Sequence, residues 1–77
     1  QLAARFASKE AGMKALGTGI RGVGWREIEV QRHTSGKPYL ILHGRAKKRA
    51  EKLNIKSIEL SISHSKNLAT AIVHMTS

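Results

Sequence analysis

Glu10 and Lys14 stand four residues apart in a segment rich in helix formers. On a helix, that spacing sets a carboxylate and an ammonium on neighbouring turns. Read blandly, they form a surface ion pair contributing about a few tenths of a kcal/mol. Read chemically, Glu10 is an oxygen ligand for a hard cation such as Mg²⁺, and Lys14 faces the phosphates that such a cation neutralises. A single carboxylate makes a weak magnesium site, so the second reading needs another acid. Glu27, Glu29, Glu51 and Glu59 offer no obvious partner, and the chain has no Asp. Taken alone, the pair reads as an ion pair.

His64 shares a strand face with Leu60 and Ile62, which by itself points to a hydrogen-bonded structural histidine. Its place at the strand end, between Ser63 and Ser65, also suits a phosphate. His33, His43 and His74 show no metal-ligand spacing with it, and without cysteine a zinc site is not expected. Gly17 and Gly19 are either plain turn residues or part of a phosphate cradle. Arg45, Lys47, Lys48, Arg49 and Lys52 crowd one short segment. Such runs are usually solvated faces, and the sharper alternative is attraction for a polyanionic ligand or an acidic protein. Phe6, Met13 and Trp25 are assigned to the core or to a subunit interface.

The elements that hold these groups must fit into 77 residues, one domain with a small core. Fourteen Lys and Arg against five Asp and Glu give a net charge of +9, so anionic partners are favoured. The absence of cysteine excludes a disulfide scaffold and fits a reducing compartment. No apolar run approaches the roughly 18 residues of a membrane span. The chain starts at Gln1 in helical sequence, with no capping residue and no Met, which leads us to expect residues upstream.

A helix is predicted over 2–16, stopped by Gly17, with Leu2, Phe6, Met13 and Leu16 on its apolar stripe, Lys9 projecting into it and Glu10 at its edge. Strands are predicted over 25–32 and 38–43, joined as a hairpin through Thr34-Ser35-Gly36-Lys37. A short helix follows over 45–53 with Ala46, Ala50 and Leu53 inward and Asn54 as its cap. The stretch 57–64 alternates as a strand, and 67–75 is its hairpin partner. The order is αββαββ, an α+β domain with a largely antiparallel sheet packed on a long helix.

The run Arg5-Phe6-Ala7-Ser8-Lys9-Glu10-Ala11, followed by Lys14-Ala15-Leu16-Gly17-Thr18-Gly19, resembles a conserved motif of the phosphopantetheinyl transferases. The Gly-Thr-Gly extension points to the small, holo-(acyl-carrier-protein) synthase type. The resemblance continues through residues 25–30, through Ser35-Gly36-Lys37-Pro38-Tyr39-Leu40, and through Leu60-Ser61-Ile62-Ser63-His64-Ser65. It closes on Ala69-Thr70-Ala71-Ile72-Val73. Five segments in order and register cover nearly the whole chain.

That resemblance implies an enzyme that moves the phosphopantetheine arm of coenzyme A onto a serine of an acyl carrier protein, with Mg²⁺ bridging the pyrophosphate. Carried over, Glu10 is a metal ligand that could also help deprotonate the serine, and Lys14 holds the pyrophosphate. Arg5, His64 and Ser65 lie near the adenosine and its 3′-phosphate. Gly36, Lys37 and Pro38 line the nucleotide site, and Lys9 takes a supporting position. The family also implies a cytoplasmic homotrimer in fatty acid biosynthesis, with sites at subunit boundaries. Its other motif, a strand carrying Gly-x-Asp whose Asp is the second metal ligand, is absent from these residues, as is the basic helix that docks the carrier protein. The chain as given is therefore expected to represent an incomplete domain, to bind Mg²⁺ poorly and to be inactive. Two other readings compete: a small basic nucleic-acid-binding module, disfavoured by its scarcity of aromatic platforms, and a non-catalytic truncated homologue acting in protein interaction.

Overall fold

The computed structural model describes residues 2–17 and 23–77. Gly19 and Thr18 of the Gly-rich stretch lie outside them.

Helix α1 spans Leu2–Leu16 and ends where Gly17 turns to φ +73°, its N–H donating to the Lys14 carbonyl at 3.0 Å. Glycine reaches that left-handed conformation without a Cβ penalty, so the predicted stop is where the chain ends the helix. The buried face keeps Met13 and Leu16 of the predicted stripe but not Leu2 and Phe6. Ala4, Ser8, Gly12, Met13 and Leu16 are buried, whereas Leu2 is 85% and Phe6 54% exposed. Small residues line the contact because α1 approaches the strands closely: a Cβ on Gly12 would lie 3.3 Å from Leu40 Cδ1 and 3.4 Å from Ile28 Cδ1. The buried Ser8 hydroxyl donates to the Ala4 carbonyl at 2.7 Å, so its polarity is satisfied within the helix.

The strand predicted from residue 25 begins later. Trp25–Glu27 form one turn of 3₁₀ helix, because the Glu27 carboxylate turns back to accept from the Gly24 N–H. Strand β1 (Ile28–Arg32) then pairs antiparallel with β2 (Pro38–Leu42), with Val30 opposite Leu40 and Arg32 opposite Pro38. The turn between them closes through His33 N–H to the Lys37 carbonyl at 2.9 Å, with Gly36 at φ +93°.

Helix α2 spans Gly44–Lys52 and buries Ala46 and Ala50. Asn54, at φ +60°, follows its last turn; its N–H reaches the Glu51 carbonyl and that of Ile55 reaches Ala50. These paired bonds satisfy carbonyls that the helix end would leave free, as the Asn54 cap requires. Leu53 belongs to this cap and is 37% exposed, so it does not join Ala46 and Ala50 inside.

Strands β3 (Ser57–His64) and β4 (Ala69–Thr76) form the second antiparallel hairpin, with Leu60 opposite Val73 and His64 opposite Ala69. The four strands thus make two two-stranded sheets, with β2 lying beside β3 and α1 packing chiefly on β4. The αββαββ order and α+β class hold. Met13, Leu16, Val23, Ile28, Leu40, Ala46, Ala50 and Leu60 form one buried cluster beneath α1 and α2. Among the described residues no helix is long and apolar enough to cross a membrane.

One carboxylate joins these layers. Glu27 accepts from the Arg45 backbone N–H at 2.9 Å and from Arg45 Nε at 3.2 Å while holding Gly24. Gly44, at φ +52°, leaves it room; a Cβ there would lie 2.5 Å from Glu27 Oε2. The Arg45 and Gly24 backbone bonds hold the Glu27 carboxyl below its ordinary value of 4.5. Hydrogen bonds from Gln31 and then His43 do the same for Glu29. A group whose folded value is lowered stabilises the fold fully above its unfolded value and loses that contribution as pH falls through the folded one. Melting temperature should therefore fall as the pH is lowered below 4.5. Glu27→Gln should reduce the midpoint at neutral pH and flatten the acid limb; an acid limb of unchanged slope would count against this clasp.

Candidate functional site

Glu10 and Lys14 both project outward from α1, opposite the face that buries Ala4, Ser8 and Gly12. Among the described residues, no ion pair or side-chain hydrogen bond engages either of them, so the simple Glu10–Lys14 ion pair is not formed. Three of the other four carboxylates differ, whereas Glu51, exposed on α2, is also without a side-chain partner among the described residues. Glu27 is held by Arg45 and Gly24, Glu29 by Gln31 and His43, and Glu59 by Lys37 at 3.6 Å. Glu10 is thus an open oxygen donor with a cation one turn away.

Lys9 takes a structural position. Its Nζ donates to the Trp25 carbonyl at 3.1 Å and lies 5.1 Å from the centre of the Trp25 ring, which in turn packs 5.0 Å from Phe6. These contacts tie the 3₁₀ turn to α1. Phe6 and Trp25 remain exposed, and with Leu2, Ala3 and Arg5 they line an apolar recess of about 360 Å³. Arg5 also reaches a polar cavity of about 280 Å³ between α1 and β1, where Arg32, Gln31, Val30 and Ile62 complete the wall.

The two hairpin tips carry the remaining candidates. Gly36 accepts from Arg32 Nη1 at 2.7 Å, Lys37 pairs with Glu59, and Pro38 opens β2 opposite Arg32. At the other tip, Ser65 closes the turn by donating its N–H to the Leu68 carbonyl at 2.8 Å and its hydroxyl to the same oxygen at 3.3 Å. His64 is exposed beside it, away from the core, as its place at the strand end implied. His64, Ser65 and Ala3 share the wall of a cavity of about 240 Å³.

Among the described residues, the candidates do not share one of the four cavities. Arg5 lines the α1–β1 groove, and His64 with Ser65 lines the recess at the start of α1. Glu10, Lys14, Gly36, Lys37 and Pro38 line neither of these nor the two other cavities that Arg5 borders. Among the described residues no group of three or more acidic or histidine side chains could hold a metal. Mg²⁺ nevertheless needs no such cage, since it keeps several waters and takes one or two carboxylates together with substrate phosphates. A free Glu10 fits that role. Sequence reading missed Arg32 and Gln31 as neighbours of Arg5, and also the Glu27–Arg45 clasp. Alternation along β1 could have paired Gln31 with Glu29 on one face, but nothing local connects residues 18 apart.

The profile of the 4′-phosphopantetheinyl transferase superfamily matches residues 1–73. A holo-(acyl-carrier-protein) synthase of Solibacter usitatus is 58% identical over 72 residues, covering 92% of this chain and 58% of that protein. The corresponding protein of Herpetosiphon aurantiacus is 52% identical over 79 residues, covering 94% and 62%. Among solved structures, the holo-(acyl-carrier-protein) synthase of Neisseria meningitidis superposes with a TM-score of 0.90 at 39% identity, covering 99% of this chain and 62% of that one. That of Helicobacter pylori, crystallised with coenzyme A, gives 0.84 at 33% identity, covering 97% and 64%. The chain spans less than two thirds of the length of these relatives. On a family profile covering nearly all its residues, and with the α1 motif displayed on the helix as the sequence required, the chain belongs to the 4′-phosphopantetheinyl transferase superfamily.

Proposed function

We propose that the protein carrying this chain transfers the phosphopantetheine arm of coenzyme A to a serine of an apo-acyl carrier protein, with Glu10 as a ligand to Mg²⁺. The observation that supports this reading is the open Glu10 with Lys14 one turn away on the outer face of α1, within the motif that resembles the family; Glu27, Glu29 and Glu59 are engaged, and Glu51, though equally open, lies outside that motif. In the transfer, the serine oxygen forms a bond to the phosphorus bearing the pantetheine arm. The bond from that phosphorus to the bridging oxygen breaks, and adenosine 3′,5′-bisphosphate leaves. Lys14 holds the pyrophosphate as a point charge, and Glu10 stands free to accept the serine proton. Bound Mg²⁺ would offset the charge that builds on the pyrophosphate oxygens.

Arg5, His64 and Ser65 take the adenosine and its 3′-phosphate. Gly36, Lys37 and Pro38 complete that site from a neighbouring copy in a homotrimer. This arrangement is supported by the scattering of candidates over one chain and by the exposure of Leu2, Phe6 and Ile72, the last at 71%. The reading places the protein in the cytoplasm, supplying holo-carrier for lipid synthesis. These 77 residues without a second acidic ligand should be inactive. The test is incubation of the intact protein with coenzyme A, Mg²⁺ and apo-carrier protein. Mass spectrometry should show the carrier gaining one phosphopantetheine, and no gain with any bacterial carrier tried would remove the proposal.

A further inference from the structure

We propose that Arg32 is a positioning residue that fixes the tip formed by Gly36, Lys37 and Pro38 for the nucleotide, an inference that rests on the placement of that tip in the site above. Residues 33–37 are all exposed. Apart from its chain neighbours, no heavy atom lies within 4 Å of a Cβ built on Gly36, so one face of the turn is open to a ligand. An exposed turn of this kind ordinarily samples many conformations and loses that freedom on binding. Three restraints act against this. The backbone closes through His33 N–H to the Lys37 carbonyl at 2.9 Å and Gly36 N–H to the His33 carbonyl at 2.8 Å. The His33 ring stacks on Tyr39, with centroids 4.2 Å apart and planes inclined by 24°. The third is Arg32, whose Nη1 donates to the Gly36 carbonyl at 2.7 Å.

The Arg32 contact controls what the other two leave loose. Gly36 sits at φ +93°, and without a Cβ it can turn the peptide plane that follows it at little steric cost. Gripping its carbonyl oxygen with a guanidinium fixes that plane, and a charged donor makes the stronger grip. Because the peptide is planar and trans, the Lys37 N–H then points away from Arg32. That N–H takes no backbone partner among the described residues, so the turn presents an oriented donor beside the open face of Gly36. Arg32 also borders the polar groove that holds Arg5. Direct contact with the 3′-phosphate is therefore the competing role, and the two roles differ in what they do to a coenzyme lacking that phosphate.

The test compares Arg32→Ala and Arg32→Lys in the intact protein, each checked for an unchanged melting temperature, since Arg32 is exposed and outside the core. Arg32→Ala should raise KM for coenzyme A about fivefold, the scale of one net hydrogen bond. With kcat and KM for apo-carrier protein near the wild-type values, that is the signature of lost ground-state binding. Coenzyme A without its 3′-phosphate should lose affinity by the same factor. Arg32→Lys should recover part of the loss, because an ammonium can still reach a single carbonyl. A loss confined to the 3′-phosphorylated coenzyme would make Arg32 a phosphate contact and overturn the inference, as would an unchanged KM or a fall in kcat alone. Calorimetric titration with adenosine 3′,5′-bisphosphate makes the same comparison without turnover, and there Pro38→Gly separates the two ideas. If Pro38→Gly weakens the nucleotide and Arg32→Ala does not, the positioning role fails while the site stands. If Pro38→Gly leaves the affinity unchanged, the tip lies outside the site and both fall.

Discussion

Glu10→Gln in the intact protein should lower the rate of pantetheine transfer by at least about 100-fold, the scale of losing one preorganised electrostatic contact in a transfer site, while its melting temperature stays at the wild-type value. The stability half of this expectation follows from the surroundings. Glu10 is exposed on the outer face of α1 and engages no partner among the described residues, so its charge does no structural work. Glutamine is also a good helix former and nearly isosteric. The activity half follows from chemistry. An amide oxygen is a weaker ligand for a hard cation than a carboxylate, and it cannot take the serine proton. The variant should therefore need more Mg²⁺ for half-maximal rate and remain slow even at saturation. Wild-type turnover at ordinary Mg²⁺ would remove Glu10 from the site; a rate loss matched by a fall in melting temperature would make it structural.

Much of the local structure around the candidate residues could be read from the sequence, because it depends on short-range spacing. The spacing of Glu10 and Lys14 on a helix needs only the 3.6-residue period, and the turn at Gly36 and the stop at Gly17 need only positive φ at glycine. Apart from Leu53, which the end of α2 turns outward, the failures involve contacts between distant segments. Counting large apolar residues placed Met13 and Leu16 inward correctly but also Leu2 and Phe6, yet the first half of the inward face is built of Ala4, Ser8 and Gly12, and at Gly12 the strands lie too close for a larger side chain. Trp25 looked like the start of a strand, but the Glu27 carboxylate folds the backbone back onto Gly24 and simultaneously grips Arg45. Periodicity records the direction in which a side chain points. It carries no information about the distance to what it meets.

That distance can be tested at Gly12. Gly12→Leu should destabilise the intact protein by about 3 kcal/mol, near the upper end of the cost of overpacking a filled core. In a small domain this corresponds to a fall of about 15 °C in melting temperature. The Cβ alone would meet Leu40 Cδ1 at 3.3 Å and Ile28 at 3.4 and 3.5 Å, and the remaining three carbons of leucine would have to enter space those two side chains occupy. Ile28 is fully buried and Leu40 is 9% exposed, so neither has an easy route outward. Relief must come from α1 lifting off the strands, which would also loosen Met13 and Leu16 in the shared core. Gly12→Ala separates packing from helix propensity. Alanine gains up to about 1 kcal/mol in a helix interior, while its Cβ needs only a few tenths of an ångström of movement, so the two effects should nearly cancel. A leucine variant melting within a few degrees of wild type would mean that α1 is not seated so closely. If the helix lifts, Glu10 and Lys14 move with it, and the leucine variant should lose transfer activity below its melting temperature while the alanine variant keeps it.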